Sequence, residues 1–338
     1  MRKYLSLAIV VSLAALVLLI SVVYWEQSGT TNTVPPGTPD PVVIGMEPNQ
    51  VNSLIIIADE RGYFTAKSLN VTIRNYPSGA AAVEGMIRGE SDIATATEFV
   101  LVSKALSQQP VGGFASIDRF QQIHLLGRRD HGIGNITDLR GKRIGVPLRT
   151  AGEFYLGRFL LLHDMELGDV RLVNVPPLQA ADAISEGSVD AIVAWQPNVD
   201  TITSRLKGNA LDWPAQGSQA AYCVVIGTDS WIAAHPDALE RFLAALREAE
   251  EYAASQPDEA RNIVRNRLSY EDTYISGIWP DHQFSLTLDQ SLILAMEDEA
   301  RWMIANNLTN TSVVPDFNRF IRADPLEKVH PDSVNIIR

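Results

Sequence analysis

Gly89-Glu90-Ser91-Asp92-Ile93-Ala94 and Gly187-Ser188-Val189-Asp190-Ala191-Ile192-Val193-Ala194 decide the fold. Both carry a glycine, an aspartate three residues later and then an apolar run, and they lie 98 residues apart. Each glycine falls where an amphipathic helix needs a left-handed last residue, because only glycine takes that backbone conformation without a steric cost. The apolar run that follows is short, rich in Ile, Val and Ala, and reads as a buried strand.

Working outward, the match continues on both sides. Val43-Ile44-Gly45-Met46 is echoed by Arg143-Ile144-Gly145-Val146. Val71, Asn75, Pro77, Ala81 and Ala82 are echoed by Val170, Asn174, Pro176, Ala180 and Ala181, each 99 positions later. One such pair is cheap by chance; a collinear series is not, and it predicts two related lobes. First strands are expected at residues 42–46 and 142–146, and second strands at 71–76 and 170–175. Pro77 and Pro176 stop the second strands, since proline donates nothing to a ladder. Ala82, Val83, Met86 and Ile87 share one helical face, as do Ala180, Ala183 and Ile184. Strand and helix patterns in alternation predict βαβ units on a largely parallel sheet. Beyond residue 228 the chain reads as helical: a stripe of Leu239, Phe242, Leu243 and Leu246 after His235-Pro236, a second helix from Pro257, and a third through Leu288, Leu292 and Met296. These helices are expected to pack on the first lobe, with Phe317 and Phe320 docking the tail.

Composition is that of an ordinary globular chain: 338 residues, 46% hydrophobic, 20% charged. A formal net charge of −12 disfavours nucleic acid as a partner, because phosphates would be repelled. Arg2 and Lys3 precede an uncharged run over residues 4–25, long enough to cross a bilayer core. Basic residues before the run and Glu26 after it place the remainder on the extracytoplasmic side. Residues 1–26 are therefore expected to be a transmembrane anchor or uncleaved signal, and 27–41, rich in Ser, Thr, Pro and Gly, a flexible tether. The lone cysteine, Cys223, sits among Tyr222, Val224, Val225 and Ile226 and reads as a buried strand residue. Asn70, Asn135, Asn307 and Asn310 head Asn-x-Ser/Thr triplets, acceptors for glycosylation in a suitable compartment.

Asp138-Leu139-Arg140-Gly141-Lys142-Arg143-Ile144-Gly145-Val146 resembles the second-lobe entry of type 2 periplasmic binding proteins. The run from Gly187 to Ala194 with Trp195-Gln196-Pro197, Gly62-Tyr63-Phe64 and Ser78-Gly79 extend the resemblance to the sulfonate, nitrate, taurine and thiamine-pyrimidine subfamily of ABC importer binding proteins. It covers roughly residues 41–264. The resemblance implies a two-lobed α/β fold with two hinge crossovers, expected near residues 113–116 and 222–227. Lobe one is then 42–114 plus 228–338, and lobe two 115–227. It further implies a monomeric solute receptor that closes on a small polar molecule and delivers it to a permease and its ATPase.

In open α/β sheets ligands bind beyond the carboxyl ends of the strands. Those loops are residues 47–54, 77–80 and 95–99 in one lobe and 147–154, 176–179 and 194–197 in the other. The strongest candidates are Thr150, Ala151, Gly152, Glu153 and Phe154, which open a helix whose first N–H groups are unpartnered. Ser78 and Gly79, the polar Asn49, Asn52 and Ser53, the pair Thr97 and Glu98, and their repeat partners Trp195 and Gln196 complete the set. Ser116 and Asp118 lie near the first crossover. Glu153 and Glu98 at the expected mouth weaken the case for an anionic solute.

The six histidines form no H-x-x-x-H or HExxH pattern, and one cysteine builds no structural zinc site, so no metal or cofactor is expected. No phosphate-binding glycine loop or G-x-S-x-G is present. The rival reading is an enzyme on the same two-lobed fold acting on a small metabolite such as a pyrimidine precursor. The eukaryotic pyrimidine synthase of that kind carries a cysteine-rich motif, which this chain lacks.

Overall fold

A computed structural model describes residues 39–337 of the chain. The expected anchor lies outside the described residues, as does the tether up to residue 38. Among the described residues no helix is long and apolar enough to cross a membrane.

Eleven strands are formed among the described residues: β1 (Asp40–Met46), β2 (Leu69–Asn75), β3 (Ile93–Thr97), β4 (Val111–Phe120), β5 (His124–Arg128), β6 (Arg143–Val146), β7 (Arg171–Asn174), β8 (Ala191–Ala194), β9 (Ala210–Pro214), β10 (Ala221–Thr228) and β11 (His282–Gln283). They make two sheets, β11-β4-β10-β3-β1-β2 and β7-β6-β8-β5-β9. The order β2-β1-β3 in one sheet returns as β7-β6-β8 in the other. Pairing register is repeated too: Ile44 opposes Ile93 and Gly45 opposes Ala94, while Ile144 opposes Ala191 and Gly145 opposes Ile192. The expectation of a largely parallel sheet needs correcting. β10, β4 and β11 extend the first sheet antiparallel, and β5 and β9 do so in the second.

The repeated glycine and aspartate have one physical role in both halves. Gly89 and Gly187 take φ of 78° and 80°, the left-handed turn that frees the chain to re-enter the sheet. Three residues on, Asp92 accepts the Val43 N–H at 2.7 Å through its carboxylate and returns its own N–H to the Val43 carbonyl at 2.8 Å. Asp190 does the same with Arg143, at 2.9 and 2.8 Å. The aspartate thus clasps the first strand of its half to the start of the third. Asp190 carries more: the Arg143 guanidinium and His131 Nδ1 also reach it, and although burial opposes ionisation, Arg143 and His131 together hold its carboxyl well below the usual carboxylate range.

The helices that position the cleft are α1 (Ser53–Glu60), α2 (Gly79–Ile87), α3 (Glu98–Leu106), α4 (Ala151–Leu161), α5 (Ala180–Ser185), α6 (Pro236–Ser255) and α7 (Gln290–Ala305). α6 packs on α1, and Phe242 stacks on Phe64 with ring centres 5.1 Å apart. α7 lies on the first lobe as expected and also reaches the second. It packs on α3 of the first lobe and also on α4 of the second. Trp302 of α7 meets Phe99 and Phe154 edge-on at 6.3 and 5.5 Å. Its indole lies so close to Gly157 that a Cβ there would stand 2.6 Å from the ring. Phe317 is buried, as expected for a docking residue, and Phe320 packs beside it.

The expected crossovers at residues 113–116 and 222–227 are corrected by the strand pairing. β4 and β10 pair from Val111–Thr228 to Phe120–Ala221, with register shifts at Cys223/Val224 and Val225/Ile226, so both expected segments lie inside the first sheet. Ser116 and Asp118 are accordingly strand residues. The chain passes between sheets at residues 121–123 and again at 215–220. One side chain ties the two passages. Gln216 accepts the Gln122 and Ile123 N–H groups at 2.6 and 2.8 Å, and donates to the Phe120 and Gln219 carbonyls at 3.0 and 3.3 Å.

Glu98, expected at the ligand, is instead in the core. It is fully buried, and its carboxylate accepts the Tyr222 N–H at 2.9 Å. Glu299 of α7, equally buried, interacts with it electrostatically, and Tyr155 from the second lobe lies against both. Burial pushes Glu98 up to about 8; burial and the charge of Glu98 push Glu299 well up as well.

Two predictions follow from this framework. Gln216→Ala strips two buried backbone N–H groups of their acceptor, and urea unfolding is expected to show a loss of about 2–4 kcal/mol. Unchanged stability would show that water replaces the amide. For Glu98 and Glu299 the folded pKa lies above the unfolded one. Their contribution is therefore complete below the ordinary carboxyl range and is lost as pH rises towards about 8. Native melting temperature should fall over that window, and the Glu98→Gln/Glu299→Gln variant should flatten the fall.

Candidate functional site

Between the two sheets, beyond the carboxyl ends of β1, β3, β6 and β8, lies a cleft with an interior volume of about 70 Å³. A single water needs ~10–15 Å³, so the interior suits a ligand of roughly five to ten heavy atoms, not a dinucleotide or a peptide. The first sheet brings Glu47, Asn49 and Asn52 from the β1 loop, Ser78, Gly79 and Ala80 from the start of α2, and Thr95, Ala96 and Thr97 from β3. Val51, Val100, Phe120 and Cys223 close its floor. The second lobe brings Thr150, Ala151 and Gly152 from the start of α4 and Trp195 from the end of β8, and the crossover adds Gln122 and Ile123.

Nine of the expected residues line this cleft: Asn49, Asn52, Ser78, Gly79, Thr97, Thr150, Ala151, Gly152 and Trp195. Several are already engaged. The Ser78 hydroxyl caps α2 by accepting the Ala81 N–H at 3.2 Å. Thr150 caps α4, accepting the Gly152 N–H at 3.2 Å and donating to the Pro147 carbonyl at 2.7 Å. Asn52 donates to the Glu47 carbonyl at 2.9 Å and to the Asn49 side chain at 3.3 Å, so it holds the β1 loop in shape.

Five expected residues do not line the cleft. Glu98 turns into the core as described. Ser53 is buried and donates to the Gln50 carbonyl at 2.6 Å, closing the turn before α1. Glu153 bends back to accept the Arg149 N–H at 2.7 Å, capping its own helix. Phe154 is buried against Trp302, Phe99 and Tyr155. Gln196 donates to Asp200 at 2.9 Å, four residues along the chain. Glu98, Glu153 and Phe154 lie in the first turn of their helices, where successive side chains point about 100° apart around the axis, so only some of that turn faces the cleft.

Glu47 went unread in the sequence, although it directly follows β1. Its repeat counterpart is Pro147, so the repeat gave no signal. The Trp195 indole N–H donates to Glu47 Oε1 at 3.3 Å. That bond runs from one lobe to the other. Burial pushes the Glu47 carboxyl up to about 7, against hydrogen bonds from Trp195 and the Gly79 N–H that favour its charged form. The chain's own carboxylate thereby takes the free N–H at the start of α2. Among the described residues lining the cleft, none is Lys, Arg or His. An anion entering beside ionised Glu47 would meet a repulsion of about 4 kcal/mol at 4 Å and an effective dielectric of ~20, unless Glu47 first takes up a proton. Cys223 also lines the cleft, but burial and the acids Asp118, Glu98 and Glu47 raise its thiol well above the ordinary value. That suppresses the thiolate a nucleophile requires. Gln122 follows only from the corrected crossover and Cys223 only from strand pairing, while Thr95 and Ala96, inside the expected 95–99 loop, belong to β3.

Known proteins share this architecture. A binding protein of Brucella abortus is 26% identical over 227 residues, 65% of this chain and 68% of the relative. An aliphatic sulfonates-binding protein of Bacillus subtilis is 23% identical over 239 residues, 67% of this chain and 70% of that protein. The relatives include an enzyme as well as binding proteins. In three dimensions, the alkanesulfonate-binding protein of Xanthomonas axonopodis pv. citri, solved with MOPS bound, superposes with a TM-score of 0.73 at 16% identity, over 85% of this chain and 99% of that one. Identity that low carries the two-lobed α/β fold alone. Residues 49–260 match the NMT1/THI5-like family. That span takes in the second sheet, most of the first and every cleft-lining residue but Glu47, and the chain belongs to the NMT1/THI5-like family.

Proposed function

We propose that the chain is the extracytoplasmic solute-binding component of an ABC-type importer, capturing a small molecule in the interlobe cleft and presenting it to a permease. The observation that carries this reading is the cleft itself: two sheets of one repeated design meet at the carboxyl ends of their strands, joined by two short passages that one glutamine ties together. Such a joint lets the lobes swing about residues 121–123 and 215–220 while each sheet stays intact. Solute that contacts both lobes favours the closed arrangement, and closure makes the shape a permease reads. The relatives named as binding proteins support this reading. The uncharged run at residues 4–25 would keep the receptor at the outer face of the membrane that holds its permease.

The nine sequence-expected residues that line the cleft, together with Glu47 and Gln122, form the proposed contact set. Trp195 is its centre, since it supplies a flat apolar face and reaches the opposite lobe with its N–H. The enzyme reading is weaker, because the cleft's one thiol is held protonated and no histidine lines the cleft among the described residues.

Trp195→Ala is expected to weaken solute binding at least ~10-fold, about 1.4 kcal/mol, by calorimetry. Native chain should also contract in solution scattering when its solute is added, and the variant should contract only at higher solute concentration. A native chain that converts a candidate metabolite to product, with no contraction, would favour the enzyme instead.

A further inference from the structure

Glu47 is an odd occupant for a cleft built at two helix starts. Free N–H groups at the start of α2 and α4 would suit an oxyanion. Yet the Gly79 N–H is taken by Glu47, and the Gly152 N–H by the Thr150 hydroxyl. The carboxylate faces an indole on the other lobe, and the cleft lining offers it no cation among the described residues. A half-buried carboxylate in a cleft without a counter-charge is stabilised by a ligand that brings one. The indole beside it presents a face on which a flat cation is held by the ring's electron-rich surface. The amide of Asn49 and the hydroxyl of Thr97 lie in the same lining to accept further N–H groups.

Resting on the solute-binding reading, we infer that this receptor takes a flat cation with N–H donors, of the amidinium or protonated amino-heterocycle class, paired to Glu47 and stacked on Trp195, in place of an oxyanion. The Trp195–Glu47 bond across the cleft is then the contact the ligand replaces: its N–H groups take the carboxylate while its ring takes the indole face.

Ionisation of Glu47 gives the inference a signed prediction. Its carboxyl titrates at about 7. The other titratable groups that face it are Cys223 of β10 and Tyr270, and burial raises both above their ordinary values, so both stay neutral over the same range. Cation binding needs the carboxylate and so strengthens with pH, by about tenfold between pH 6 and pH 8. Anion binding needs the protonated acid and so weakens by a similar factor.

The experiment is calorimetric titration and thermal shift of the full chain with four probes: acetamidinium, benzamidinium, trimethylphenylammonium and ethanesulfonate. All keep their charge from pH 6 to pH 8. The amidinium ions are expected to bind, more tightly at pH 8 than at pH 6. Trimethylphenylammonium, a flat ring bearing a tetrahedral cation without N–H donors, should bind at least ~10-fold more weakly than benzamidinium, the fold-change of one lost charge-assisted contact. Glu47→Gln should weaken the amidinium ions at least ~30-fold and abolish the pH dependence, again on the scale of a charge-assisted pair. Ethanesulfonate binding more tightly than either amidinium, or with affinity falling as pH rises, overturns the inference but keeps the solute-binding reading, provided that Trp195→Ala weakens it. Amidinium binding that Glu47→Gln leaves unchanged also overturns the inference. Binding of no probe, together with no contraction in scattering for any of them, overturns both.

Discussion

Each half of this protein is closed by a carboxylate that reaches back to the first strand. Asp92 and Asp190 sit three residues after a left-handed glycine, and each exchanges two hydrogen bonds with a residue of the first strand of its half, Val43 within β1 and Arg143 at the start of β6. The glycine allows the chain to leave the helix at the one angle that brings the aspartate there. A buried backbone N–H left without an acceptor is costly, so this clasp fixes which strand edge the third strand joins. Everything downstream depends on that choice. It sets the β2-β1-β3 and β7-β6-β8 orders, and it aligns the carboxyl ends of four strands towards one cleft.

Two halves with the same internal clasp still need a joint. The joint is made of polar groups where the chain passes between sheets, and of aromatic groups at the back. Gln216 holds one passage against the other. Trp302 of α7 presses on Gly157 and Phe154 of the second lobe and on Phe99 of the first. Buried acids lie beside that aromatic contact, with Glu98 and Glu299 from the first lobe against Tyr155 from the second. Apolar burial holds the back of the molecule while hydrogen bonds hold the hinge. At the front, the Trp195 indole N–H reaches Glu47 across the cleft.

The repeat was legible because it is built from residue types with narrow physical roles. A glycine needed for positive φ, an aspartate needed as a local acceptor and a proline that ends a strand leave marks that survive wide divergence elsewhere. The lobe boundaries were less legible. β4 and β10 read as apolar strands but carry nothing to say that they pair with each other along their whole length, so the crossovers were placed inside them. The site was legible in part. Thr150, Gly152, Ser78 and Trp195 follow from strand ends and helix starts. Glu98, Glu153 and Phe154 occupy the same loops, yet the turn of the helix aims them into the core or back on their own backbone.

By itself the sequence determined two α/β halves of one design, the loops that could face a ligand, and the exclusion of the common metal, phosphate and hydrolase motifs. Those are local properties, written in periodicity, turn chemistry and spacing. Tertiary structure alone decided that α7 spans both lobes and that Gln216 ties the passages. It also decided that Glu47 is the cleft's charge, where 148 positions separate it from Trp195. Burial, and with it the ionisation of a carboxyl group, is a property of what the whole chain packs around a side chain. No stretch of sequence contains it.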